Sequence, residues 1–428
     1  MKISICWFRR DLRLDDNTAL HHALESDLPV MALFIFDRNI LHELDADDPR
    51  VTFIHQNLRS IHERLKKYGS SLLVLHGDPV KIWKELTVRY EIGKVFVNRD
   101  YEPYALERDL KVELLVSKKN IQWHSCKDQV IFEKNEILKK DGSPYTVFTP
   151  YKNRWLQQFK TNASMTPGNS RSGAFLKFDH AFPELGAIGF QESAIKVREY
   201  DLSGLDDYAD TRDYPAADTT TYLGPHLRFG TVSIRQVISH LGDAHGVFLG
   251  ELIWREFFMQ VLFHYPDVVS QNFRPKYNGI TWRNHEAEFE KWCGGNTGYP
   301  MVDAGMRQLN HTGFMHNRVR MVAASFLCKH LLIDWRWGES YFAEKLLDYE
   351  LSSNNGNWQW AAGTGCDAAP YFRVFNPSEQ MKKFDPDQAY VKKWVPEFGT
   401  SGYGAPMVNH PFARSRALET YKKGIMIF

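Results

Sequence analysis

Five short apolar runs punctuate the first 125 residues, at 3–8, 30–36, 71–75, 94–97 and 121–124. Between them lie stretches of helical spacing, such as 51–67, where Phe53, Ile54, Leu58, Ile61 and Leu65 share one face. Strand and helix in alternation leave few folds open. A parallel strand pair needs a crossover long enough to hold a helix, and the helices must then cover both faces of the sheet. The pattern predicts an α/β domain over 1–125 with a parallel, five-stranded, doubly wound sheet. Such sheets take ligands beyond the carboxyl ends of their strands. No GxGxxG follows the first run, so the usual dinucleotide fingerprint is absent.

The alternation then stops. Residues 126–200 carry Asp141-Gly142-Ser143-Pro144 and Thr166-Pro167-Gly168-Asn169-Ser170 with weak periodicity, which predicts a long surface connector with a helix near 151–160. From 201 to 428 strand signals vanish, and helical spacing dominates at 233–241, 249–263, 302–309, 318–332 and 341–347. An all-α domain is expected there. Charged residues make up 25% and the net charge is +1, which excludes bulk disorder and a globally basic nucleic-acid coat. No run of about 18 apolar residues occurs and no signal-peptide pattern precedes the first strand, so a cytoplasmic protein without a membrane span is expected. The five cysteines are scattered without CxxC spacing, which argues against a disulfide framework or a zinc site.

Seven of the 12 tryptophans lie between 254 and 360. They read either as a Trp-rich core or as a set for redox chemistry and stacking on planar ligands. Thr220-Thr221 precede Gly224-Pro225, which has the look of a helix N-cap and first turn. That is either an ordinary cap or a phosphate seat. On a helix, Glu251, Trp254 and Arg255 share one stripe, as do Asn317, Arg320 and Met321. Each stripe reads as a solvated face or as the wall of a polar, planar ligand site. Asp348 to Trp360 crowd two acids, three asparagines and a glycine into a turn-rich stretch that ends in two indoles.

Longer motifs go further. Trp7-Phe8-Arg9-Arg10-Asp11-Leu12-Arg13-Leu14-Asp15-Asp16-Asn17 resembles the opening of the photolyase/cryptochrome family. Thr297-Gly298-Tyr299-Pro300-Met301-Val302-Asp303-Ala304, Met315-His316-Asn317-Arg318, and 354–360 with Ala368-Ala369-Pro370-Tyr371-Phe372-Arg373 are similar to its catalytic half. The likeness is nearest to class I cyclobutane pyrimidine dimer photolyases. It implies an antenna-type α/β domain at 1–125, a connector at 126–200 and a helical FAD-binding catalytic domain at 201–428. It further implies a blue-light-driven lyase in which excited, reduced FAD gives an electron to a flipped-out dimer in ultraviolet-damaged DNA. A cryptochrome-type photoreceptor and a (6-4) photolyase are the alternatives. A monomer is expected, nucleoid-associated if bacterial.

Matched position by position, the resemblance places Tyr208, Thr220, Thr221, Leu223, Gly224, Arg320, Asp348, Glu350 and Asn354 against FAD, with Asn354 facing N5. Glu251, Asn317, Met321, Asn354 and Trp360 are the implied catalytic set. Arg212, Trp254, Arg255, Asn317, Arg318, Trp360, Arg373 and Gln380 are the implied DNA contacts. Trp358, Trp335 and Trp282 match an electron wire that reduces oxidised flavin. Glu251 is expected to pair with a thymine edge, protonated by burial in its pocket. No metal site is implied. Gly224 stands where relatives often carry Ser, Glu350 where Asp is usual, and Phe314 where Trp is common. Tyr104 and Ala105 stand where folate-binding relatives carry Asn and Glu. That speaks against a folate antenna and leaves a deazaflavin, a second flavin or none.

Overall fold

The computed structural model describes residues 1–162 and 174–427. The segment 166–170 singled out above lies outside them. Contacts divide the chain into two compact units. One comprises Met1–Glu136, Leu156–Tyr200 and Tyr222–Leu241. The other comprises Ile137–Trp155, Asp201–Thr221 and Gly242–Phe428.

The first unit is built on β1 (Ile3–Phe8), β2 (Val30–Asp37), β3 (Leu72–Gly77), β4 (Ile92–Asn98) and β5 (Gln122–Cys126), all parallel, in the order β3-β2-β1-β4-β5. Strands β1 and β2 are buried at every position. Helices cover both faces, so these strands read as unbroken apolar runs and not as alternation. The helix Pro49–Lys66 starts where the Asp48 carboxylate accepts the Arg50 amide and Pro49 fills the first turn. It buries Val51, Phe53, Leu58, Ile61 and Leu65.

The carboxyl edge of this sheet is filled by the chain itself. Arg9 grips Asp109 through one nitrogen at 2.9 and 3.0 Å. Asn98 donates to Asp11 at 2.6 Å and to Asn17 at 2.9 Å. Arg10 reaches Asp100 and Glu102. Asp128 takes Arg13 at 2.6 Å and Arg235 at 2.7 Å. Burial pushes the Asp128 carboxyl up, but the two guanidiniums outweigh it and bring it to about 2. The opening motif 7–17 is therefore, in this unit, a plug of buried ion pairs at the switch point between β1 and β4. Gly230 packs there at φ +64°, where a Cβ would stand 2.4 Å from the Arg10 carbonyl oxygen.

The connector is not superficial. Tyr151 and Trp155, one turn apart on the helix Phe148–Asn162, are fully buried, and Phe175 and Ile188 join the core of the sheet unit. The start at Gly224-Pro225 also moves. The helix is Leu223–Phe229 with Tyr222 at its N-cap, so Gly224 and Pro225 sit inside the first turn. A proline is tolerated there because those amides have no helical partner.

No strand occurs from residue 201 onward among the described residues. Around one core stand the helices Gly246–His264, Pro300–Thr312, Asn317–Ser325, Trp335–Lys345 and Leu351–Ala362. Two expectations change here. The single helix at 318–332 is an α-helix, Asn317–Ser325, followed by a π-helical stretch, Phe326–Leu331. The turn-rich stretch 348–360 is mostly helix, Leu351–Ala362. Its poor formers are overruled by packing, since a Cβ on Gly356 would stand 2.2 Å from the Phe258 ring. The motif 297–304 is structural. Buried Asp303 accepts from the Thr297 amide and hydroxyl at 2.7 and 2.6 Å, the Gly298 amide at 3.0 Å and the Tyr403 hydroxyl at 2.6 Å.

Candidate active site

The helical unit gathers most of the residues singled out from the sequence. Helices Trp335–Lys345 and Leu351–Ala362 approach closely because Gly338 lies under Trp358, whose ring a Cβ would meet at 2.1 Å. That approach sets Asn354. Its NH2 donates to the Glu339 backbone oxygen at 3.0 Å and to Glu339 Oε1 at 2.7 Å. A backbone oxygen only accepts, so the amide nitrogen must face Glu339 and the carbonyl oxygen must face away. Asn354 thereby offers an acceptor to whatever lies before it. Burial raises the Glu339 carboxyl, while the Asn354 bond lowers it. Sequence reasoning missed Glu339, and nothing local marks it, because its partner lies 15 residues on and on another helix.

Arg320 Nη2 pairs with Asp348 Oδ2 at 2.9 Å, and its Nε donates to the Met315 carbonyl at 2.7 Å. The other Asp348 oxygen, Oδ1, is buried with no partner, as is the Ser352 hydroxyl. Buried orphans of this kind ask for a ligand that carries polar groups. Arg255 Nε lies 3.4 Å from Glu350 Oε2, and both side chains are mostly buried. The structure thus turns Arg255 inward to an acid at the start of helix Leu351–Ala362. Tyr208 packs edge-on to Phe248, and burial pushes its hydroxyl up to about 12. Thr220 and Thr221 are half-buried, with the Thr221 carbonyl accepting the Asp201 amide at 3.0 Å. Leu223 and Gly224 belong to the sheet unit, where Leu223 is buried and Gly224 exposed.

Of the other implied DNA contacts, Arg212 and Arg318 are engaged with acids. Arg212 Nη1 holds Glu251 Oε1 at 2.7 Å, and Arg318 Nη2 holds Asp213 Oδ1 at 2.7 Å. Glu251, expected to meet a thymine edge, here accepts from Arg212. Arg318 also lies over the Phe384 ring at 4.3 Å and near Met321 Sδ at 3.9 Å. Trp254 carries Phe148 flat against it, centroids 3.6 Å apart and planes 9° apart, so one of its faces is already covered. Asn317 and Arg373 are exposed, Trp360 is half-buried, and Gln380 lies on helix Pro377–Phe384. His316 caps the helix Asn317–Ser325, its Nδ1 accepting the Arg318 amide at 3.2 Å. Burial, with Arg320 adding to it, lowers His316 to about 4.

Trp335 and Trp358 are buried in one core, and Trp282 packs against it half-buried. The Trp335 indole donates to Asn272 at 2.8 Å, Trp358 meets Trp292 edge-on at 6.1 Å, and Trp282 meets Tyr421 at 5.8 Å. Trp292 and Tyr421 were not among the wire residues.

Two family patterns match this chain. The one described as DNA photolyase covers residues 4–168, and the one described as the FAD binding domain of DNA photolyase covers 248–401. The chain is 35% identical to the deoxyribodipyrimidine photo-lyase of Synechococcus sp., over 97% of this chain and 96% of the relative. It is 34% identical to that of Escherichia coli, over 99% of each. Among solved structures, it is similar to a bacterial class III photolyase from Agrobacterium tumefaciens, with TM-score 0.89, 33% identity and coverage of 100% and 98%. It is likewise similar to an archaeal photolyase from Sulfolobus tokodaii with two FAD molecules, with TM-score 0.86, 35% identity and coverage of 99% and 100%. A helical flavin-binding half joined to a parallel α/β half is the architecture of a flavoenzyme. The chain belongs to the DNA photolyase family. It is an enzyme of DNA repair, with FAD as its cofactor and damaged DNA as its macromolecular partner.

Proposed function

We propose that this enzyme splits cyclobutane pyrimidine dimers under blue light, on a lesion flipped out of the duplex into the helical unit. The orientation of Asn354 supports this most directly. With its nitrogen committed to Glu339, it presents a carbonyl acceptor, which fits the N–H edge of reduced flavin. The orphaned Asp348 Oδ1 and Ser352 hydroxyl fit further polar groups of the same cofactor, and Arg320 supplies charge for an anionic ring. Bound FAD supplies the photochemical electron. The chain's own residues hold that electron's donor and acceptor in place and keep water out. Glu251 and Asn317 hydrogen-bond the dimer's polar edge, while Trp254 and Trp360 stack on it. Arg212, Arg318, Arg373 and Gln380 meet the DNA around it. Trp358, Trp335 and Trp282 return oxidised cofactor to its reduced state. The enzyme works as a monomer in the cytoplasm, on the nucleoid if bacterial.

The (6-4) reading needs a proton delivered in the lesion pocket. Asn317 does not titrate and Met321 is only a weak acceptor. His316 has its Nδ1 bound to a backbone amide and is held neutral. The test offers reduced, illuminated protein each purified lesion in single-stranded and duplex DNA. Repair of the cyclobutane dimer alone is expected. Repair of the (6-4) product sinks the lesion assignment, and repair of neither turns the reading to a photoreceptor. Flavin bands in the absorption spectrum of the pure protein check the cofactor separately.

A further inference from the structure

Arg212 and Asp213 are neighbours in sequence and make opposite bonds. Arg212 gives a nitrogen to Glu251 on helix Gly246–His264, and Asp213 takes one from Arg318 on helix Asn317–Ser325, each at 2.7 Å. Asp213 has no role in the site as described so far. Its pair is partly open, with side-chain exposure of 36% for Asp213 and 18% for Arg318. Arg318 is anchored independently by the Phe384 ring beneath its guanidinium. Its place is therefore fixed while its acceptor is exchangeable. A phosphate oxygen and a carboxylate oxygen are equivalent partners for a guanidinium.

We propose that Asp213 is an internal competitor of DNA phosphate, holding Arg318 in the free enzyme and taking it back when the product leaves. The proposal rests on the DNA-repair reading above. Binding then exchanges one anion for another at Arg318. Asp213, left without its guanidinium, attracts a solvent cation and offsets one of those the phosphate releases. Removing the carboxylate tightens binding to damaged and undamaged duplex alike and steepens the salt dependence by about one unit of log–log slope. An open pair of this kind corresponds to a factor of about two to five in affinity. Product release slows by the same factor, so repair at saturating light and substrate slows while a single turnover does not.

The test is a thermodynamic cycle on DNA binding, in the dark, with the FAD-loaded enzyme. The probes are a short undamaged duplex and the same duplex with one thymine dimer. Asp213→Asn is expected to tighten both by about two- to fivefold and to change nothing in an Arg318→Gln background. Asp213→Ser should behave alike, since only the carboxylate matters. Asp210→Asn, which removes an exposed acid of the same segment, reports the general charge effect. Equal tightening with Arg318 absent, tightening no greater than in Asp210→Asn, or weaker binding in Asp213→Asn would each overturn the proposal. The binding arm needs no dimer splitting. A protein that passes the cycle yet repairs nothing defeats the repair reading alone.

Discussion

Compare the carboxyl edge of the sheet with the candidate active site. Both are crowded with arginines and carboxylates, yet they differ in what water can reach. Asp128 is 1% exposed between Arg13 and Arg235, whereas Asp213 and Glu251 are each 36% exposed beside Arg318 and Arg212. A buried pair cannot be exchanged without leaving an uncompensated charge in the interior. An open pair can trade one anion for another at little cost. The first arrangement specifies structure. The second can serve a ligand.

The sharpest way to break the comparison is Asp128→Ala. It strands two nearly buried arginines and should destabilise the sheet unit by about 3–5 kcal/mol in denaturant titration. A loss under about 1 kcal/mol would make this pair no different from a surface one.

The next effect comes from pH. Unfolded His316 titrates near its ordinary value of 6.5, and folded His316 near 4. The unfolded chain binds more protons between those values, so stability is intact above 6.5 and falls as pH drops to 4, by about 3 kcal/mol. His316→Asn keeps a capping acceptor and does not titrate. Urea melts at pH 7 and pH 4.5 should show a smaller loss in that variant.

Gly356→Ala tests the buried packing under the site. The added Cβ meets the Phe258 ring at 2.2 Å, which should cost about 1–3 kcal/mol despite the better helix former. The smallest effect belongs to Arg212→Gln. Its loss of stability should stay below about 1 kcal/mol in the same melts, while affinity for damaged DNA falls measurably.

The two regions were also unequally legible. The five strands read directly from sequence because β1 and β2 are buried on both faces and leave apolar runs. The helix Leu351–Ala362 did not, because Ser, Asn and Gly are weak helix formers and the close approach of Gly356 to Phe258 is a tertiary fact. Arg320 and Asp348 were both placed against FAD, but only through family resemblance, and nothing local relates them, since 28 residues separate them. Glu339 behind Asn354, Asp213 on Arg318 and Phe148 on Trp254 had no local signal. Each joins residues that helical spacing cannot relate. The connector aromatics Tyr151 and Trp155 did carry a signal, an i, i+4 pair, yet the surrounding glycines and prolines masked it.

The ion pairs of Asp128 also bear on how the protein is made. The sheet's own strands are complete at Cys126, yet Arg235, which closes the pair, lies 107 residues beyond Asp128. A ribosome adding about 5–20 residues per second needs about 5–20 s to supply it. Through that interval the nascent sheet carries a buried aspartate with half its counter-charge. The N-terminal half cannot finish folding as an early, separate product of translation, and a fragment cut at Glu136, which keeps Asp128 and Arg13 but lacks Arg235, would share the defect permanently.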